Sequence, residues 1–153
     1  MTWLADAAAW LDAAGLRAWA GGAAYPWINT AHLLGLVMLV GAIGVVDLRI
    51  AGLWRSLPAA DLSRALTPVA IAGLAVMAAT GVLLFAADGA ALARSTVFGA
   101  KLVLIGLALA NAVAFRRIGA DIDRPTLLAR AMVVASLALW LAAGACGRMI
   151  AYS

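Results

Sequence analysis

Apolar residues along this chain fall into four long runs separated by short polar stretches, and the first run sets the reading of the rest. Ile28 to Val46 is interrupted only by Asn29, Thr30 and His32, all close to one end. At about 1.5 Å rise per residue, such a run crosses a hydrocarbon core of about 30 Å as an α-helix. Tyr25 and Trp27 mark one interface with amphipathic rings, and Asp47, Arg49, Trp54 and Arg55 mark the other. Pro26 suits the first turn, where no intrahelical N–H bond is lost. Repeating the argument for the other runs predicts spans at about 27–50, 68–87, 97–115 and 128–150.

The segments between the runs complete the architecture. In residues 2–20, Trp3, Ala7, Trp10 and Ala14 recur at helical spacing with Asp6, Asp12 and Arg17 among them. That weakly amphipathic pattern predicts an interfacial helix within residues 1–24, ended by Gly21-Gly22. The first connection, residues 47–67, breaks at Pro58, with Asp61 or Ser63 expected to cap a short lead into span two. The later connections are also short, with Pro125 separating the last from span four. The fold class expected is all-α: an antiparallel four-helix transmembrane bundle occupying residues 25–153 behind the interfacial helix. Ser63–Gly81 also resembles Ala129–Gly147 faintly, as two parallel helical hairpins would.

Composition agrees. The 153 residues are 67% hydrophobic and only 12% charged, with a mean hydropathy of +1.06, outside the range of soluble domains. The net charge of +4 comes from ten Arg and one Lys against seven Asp. In this context the excess orients the chain and gives no reason to expect nucleic-acid binding. One cysteine, Cys146, excludes an intrachain disulfide and a multi-thiolate metal site. The N-terminus lacks the basic region and compact apolar core of a cleaved signal peptide, so Met1 is expected to begin the mature protein.

Candidate chemistry sits at one depth. His32, the chain's only histidine, lies a turn or so into span one, Lys101 a turn into span three, and Arg148 about a turn from the end of span four. An ionisable group in a span points to function by default. Asn29 and Gly35 share the helix face of His32. Gly73, Met77 and Gly81 recur every fourth residue in span two with Thr80 beside them, letting a neighbouring helix or a flat ligand approach the backbone. One imidazole, two cations and small residues in an apolar bundle suit a b-type haem: His32 on the iron, Lys101 and Arg148 on the propionates, Met77 as a candidate second ligand. Other readings stay open. His32 also fits a buried hydrogen-bonding residue or a proton path, Met77 fits core packing, and Arg148 fits a snorkelling side chain.

The segments Tyr25–Gly35 (YPWINTAHLLG), Val45–Leu53 (VVDLRIAGL), Phe98–Phe115 (FGAKLVLIGLALANAVAF) and Ser136–Tyr152 (SLALWLAAGACGRMIAY) resemble a family of uncharacterised four-helix bacterial membrane proteins. More distantly, the chain is similar to the haem-containing four-helix protoporphyrinogen oxidases and to copper-resistance D-type membrane domains. In the former a first-span histidine binds haem, an arginine follows that span, and a lysine lies early in the third. That likeness implies corresponding places for His32, Arg49 and Lys101. Members of the nearer family often carry a histidine after the phenylalanine ending span three, where this chain has Arg116.

The expectation is therefore a b-type haem-binding protein of the bacterial inner membrane, active in electron transfer or porphyrinogen oxidation. The rival is a non-catalytic subunit that packs against a larger membrane complex; a homo-oligomer fits either reading. A small transporter is disfavoured, because no span is broken at its midpoint. Basic residues fix the expected orientation. Arg49, Arg55, Arg64, Arg116, Arg117, Arg124 and Arg130 fall on one side, against Arg17, Arg94 and Arg148 on the other. By the positive-inside rule both termini then face away from the cytoplasm. Reporter fusions should read cytoplasmic at Leu57 and Asp121 and non-cytoplasmic at Ala90, and a cytoplasmic signal at Ala90 would overturn this orientation.

Overall fold

The structure, a computed structural model, describes residues 2–152, which are helical apart from short connections. Two short helices, α1 (Thr2–Ala13) and α2 (Leu16–Ala20), precede four long ones: α3 (Tyr25–Ala51), α4 (Ala59–Leu92), α5 (Thr96–Arg117) and α6 (Leu127–Met149). A turn of 3₁₀-helix follows at Ile150–Tyr152. Each of the four long helices is long and apolar enough to cross a membrane. The chain is thus a multi-pass membrane protein by helix length and composition.

Helix α3 is central. It packs against α4 on one side and α6 on the other, α5 packs against α6, and α1 and α2 lie on α4. Between α4 and α5 there is no comparable contact. The α3–α4 pairing depends on two glycines. A Cβ on Gly35 would lie 2.9 Å from the carbonyl oxygen of Gly73, and one on Gly73 would lie 2.7 Å from both the Gly35 oxygen and the Leu39 nitrogen. The two backbones are in contact there, as small residues permit in membrane helices. Along the pair His32 meets Thr80, Gly35 meets Met77, and Leu39 meets Gly73, so numbering falls along α4 as it rises along α3. Below the crossing, Leu39, Ala42, Ala70, Ala108 and Trp140 bring all four long helices into one apolar core.

On α6, the row Ser136, Trp140, Gly144 faces α3. Ser136 and Trp140 are buried, and Gly144 leaves room for Leu36. Ser136 lies beside the carboxyl of Asp47, which is buried, with one oxygen, Oδ2, lacking a hydrogen-bond partner among the described residues. On the outer side Asn111 of α5 donates to the Met132 carbonyl of α6 at 3.0 Å.

Several boundaries differ from the sequence expectation. The helix that carries span two extends beyond its apolar run: α4 is continuous from Ala59 and carries Pro68 inside it. Having no N–H, Pro68 supplies no intrahelical bond to the Arg64 carbonyl. Neither Asp61 nor Ser63 caps the helix; Pro58 occupies that position in extended conformation. The Ala59 N–H is met instead by Asp123 Oδ1, 2.9 Å away, from the α5–α6 loop. At its other end α4 bends at Asp88, whose φ of −132° is non-helical. Ser95 and Thr126 cap α5 and α6, accepting from the N–H groups of Phe98 and Ala129.

The N-terminal segment is two helices rather than one, broken at Gly15, whose φ is +76°. Its packed stripe is Leu4, Ala8 and Leu11, one position on from the tryptophans. Leu4 and Leu11 are buried, whereas Trp3 and Trp10 are exposed. Ala8 touches α4 at Gly89, where an added Cβ would come within 2.7 Å of the alanine methyl.

Two glycines on α3 and α4 distinguish contact from open surface. Gly73→Val should destabilise the protein by about 1–3 kcal/mol, the usual cost of overpacking. Gly41→Ala, at a position with nothing within 4 Å, should be neutral. Thermal denaturation of both variants in one detergent tests this, and equal melting temperatures would contradict the crossing described.

Candidate functional site

His32 stands near the start of α3, half-buried. Its Nδ1 lies 2.9 Å from the hydroxyl oxygen of Thr80 on α4. That hydroxyl has one proton, and Thr80 Oγ1 is also 2.6 Å from the Val76 carbonyl, four residues back. A carbonyl can only accept, so the proton at this short contact is on the Thr80–Val76 line. Thr80 therefore accepts from Nδ1–H. The neutral ring is thereby held in the tautomer whose Nε2 carries a lone pair. The backbone of Met77 also lies within hydrogen-bonding reach of the ring.

Small residues give the ring its place. A Cβ on Gly81 would lie 3.5 Å from His32 Cε1, so the glycine face of α4 serves two purposes: Gly73 admits a helix and Gly81 admits an imidazole. Across the site, Lys101 of α5 lies against α6, its Nζ 3.1 Å from where a Gly147 Cβ would be. The ammonium is within electrostatic reach of the His32 ring and of Cys146. Among the described residues Lys101 forms no salt bridge. The four long helices thus each contribute to one region, at the end where α4 connects to α5. Phe85 of α4 and Phe98 of α5 stack there, 5.6 Å between centroids and 11° between planes.

The remaining residues singled out by sequence have different places. Arg148 is exposed; its Nη2 donates to the Tyr152 hydroxyl at 2.6 Å, and its guanidinium lies 4.9 Å from that ring's centroid. Asn29 is exposed and makes no hydrogen bond to a described residue. The side chain of Met77 packs on Gly35 and against the apolar core, while its carbonyl lies beside His32. Arg49 belongs to the opposite end of α3. From His32 to Arg49 is 17 residues, about 25 Å of helix. The structure therefore brings His32 and Lys101 together, adds Thr80, Gly81, Cys146 and Gly147, and leaves Arg49 apart. Thr80 was visible in sequence as a neighbour of the glycine row, but its bond to His32 needs the register of two helices, which no single-helix pattern supplies.

No family model matches the chain, and no curated protein or solved structure does either. The donor set must therefore be judged on its own chemistry. Among the described residues no three His, Cys or Asp side chains cluster at metal-ligand spacing. What the residues offer is a single oriented imidazole, with a carbonyl-anchored hydroxyl fixing its second nitrogen. Histidine ligands of metals are commonly oriented in this way. A haem iron would ask one such nitrogen of the protein, since the porphyrin supplies four of its own.

Thr80→Val keeps the shape of the side chain and removes the acceptor. Nitrogen NMR of ¹⁵N-histidine-labelled protein should show the Nδ1–H tautomer in the wild type and a mixture in the variant. The same tautomer in both would assign the fixing role to another group, the Met77 carbonyl being adjacent.

Proposed function

We propose that this protein binds a b-type haem through Nε2 of His32, and that it works in electron transfer or porphyrinogen oxidation at the bacterial inner membrane, with both termini on the non-cytoplasmic side. The observation that carries the reading is the 2.9 Å contact of His32 Nδ1 with the Thr80 hydroxyl, which in a neutral ring puts the lone pair on Nε2, inside an apolar helical bundle. Haem there would supply reversible one-electron chemistry. The chain's own residues supply the rest. Thr80 orients the ring, Gly81 leaves it space, and the Lys101 ammonium is the cation available to a propionate. Unpaired charge is costly in a region of low dielectric, so a propionate and Lys101 would each offset the other. Arg148, engaged with Tyr152, is a weaker candidate for that role, and Met77 is better read as part of the core.

The purified protein, produced with ample haem, should show a Soret band that His32→Ala abolishes while the variant still inserts and folds. Lys101→Met should lower haem retention, and Arg148→Met should affect it less. A colourless wild type would overturn the proposal in favour of a non-catalytic subunit, in which His32 and Lys101 are polar contacts. An unchanged band in His32→Ala would move the ligand elsewhere.

A further inference from the structure

At the end of the bundle far from His32, the α3–α4 loop and the α5–α6 loop enclose a cavity of about 370 Å³. Arg49, Arg55, Arg124 and Arg130 line it, with Asp123 as its sole acidic residue. Four positive charges against one negative leave a formal excess of three. None of these arginines forms a salt bridge among the described residues, in which the ion pairs are Arg17–Asp12 and Arg64–Asp61. Asp123 is occupied elsewhere, its Oδ1 accepting the Ala59 N–H.

The arginines are held rather than free. Arg49 is 7% exposed, and it donates through Nε to the Leu57 carbonyl and through Nη2 to that of Arg55 at 3.3 Å. These bonds fix the guanidinium but do not neutralise it, and Nη1 stays unengaged. Arg55 is turned towards the Gly52 carbonyl, 3.2 Å from its Nε. Arg130 rises from the first turn of α6, and its Nε is buried with no hydrogen-bond partner among the described residues. A buried, unpartnered guanidinium nitrogen is costly to leave so, and an anion in the cavity that Arg130 lines would offset its charge.

We propose that this cavity binds a phosphate group. Guanidinium forks match phosphate oxygens in pairs, and the cavity lies where α3 ends and α6 begins. In a membrane, that is the level of lipid headgroups. Basic pockets between spanning helices take anionic headgroups by this chemistry. A phosphodiester of an anionic lipid and a free phosphate would meet the same arginines.

The test uses the full chain, delipidated in a neutral detergent, at constant ionic strength. Phosphatidylglycerol, phosphatidylcholine and inorganic phosphate are added separately, with thermal stability and lipid retention in native mass spectrometry as readouts. Arg124→Gln changes an exposed loop residue and should leave the fold intact. Arg130→Gln removes the unpartnered group, and Arg64→Gln, outside the cavity, is the control. Phosphatidylglycerol should raise the melting temperature where phosphatidylcholine does not. Arg124→Gln and Arg130→Gln should each weaken its binding by about fivefold, with Arg64→Gln unchanged. Stabilisation by inorganic phosphate alone, lost in the same two variants, would identify the free anion as the source. Should Arg130→Gln fail to fold, Arg124→Gln decides. Equal losses in Arg64→Gln, or no stabilisation by either phosphate source, would overturn the site.

Discussion

The contact between the backbones of Gly35 and Gly73 is the constraint on which the remaining geometry depends. Among membrane helices burial from water does not drive association, because lipid tails are as apolar as the side chains, so close packing has to do it. With no side chain at either position, α3 and α4 approach until carbonyl and amide groups touch. That fixes their register. Three residues from Gly35 along α3, and seven from Gly73 along α4, His32 and Thr80 meet at hydrogen-bond distance. In the other direction, Leu39, Ala42 and Ala70 meet in the core. A displacement of one residue along either helix would rotate Thr80 away from the ring by about 100°.

Polar contacts hold both loops and helices in place. At the loop end, Arg49 draws in the α3–α4 connection through two carbonyls, and Asp123 joins the other loop to the start of α4. The two ion pairs among the described residues are exposed and add little to stability. At the His32 end two side chains between helices are each matched by a glycine: Gly81 at the imidazole and Gly147 at the ammonium.

Much of this was legible in the sequence because membrane spans are written in length and hydropathy. The four long helices follow from counting residues along apolar runs. What was not legible depended on neighbours. Pro68 sits inside α4, which runs on from Ala59. Trp3 and Trp10 are exposed while Leu4 and Leu11 are buried, and Ala8 touches Gly89. Asp47 is buried, and only the placement of Ser136 on α6 shows it to be enclosed. Arg148 matched Lys101 in depth, but depth does not give direction, and Tyr152 four residues on is its nearer partner.

The arrangement of α5 bears on how any flat ligand would reach His32. Only 6% of the apolar stretch of α5 is buried, against 44% of that of α3, and its packing runs through α6. Local opening costs least where contacts are fewest. Separating α5 from α4 disturbs the Phe85–Phe98 stack, worth about 0.5–1.5 kcal/mol beyond the area it buries, and leaves the Gly35–Gly73 crossing untouched. The bond between His32 and Thr80 lies wholly within the α3–α4 pair. The imidazole can therefore keep its orientation while the seam beside it opens.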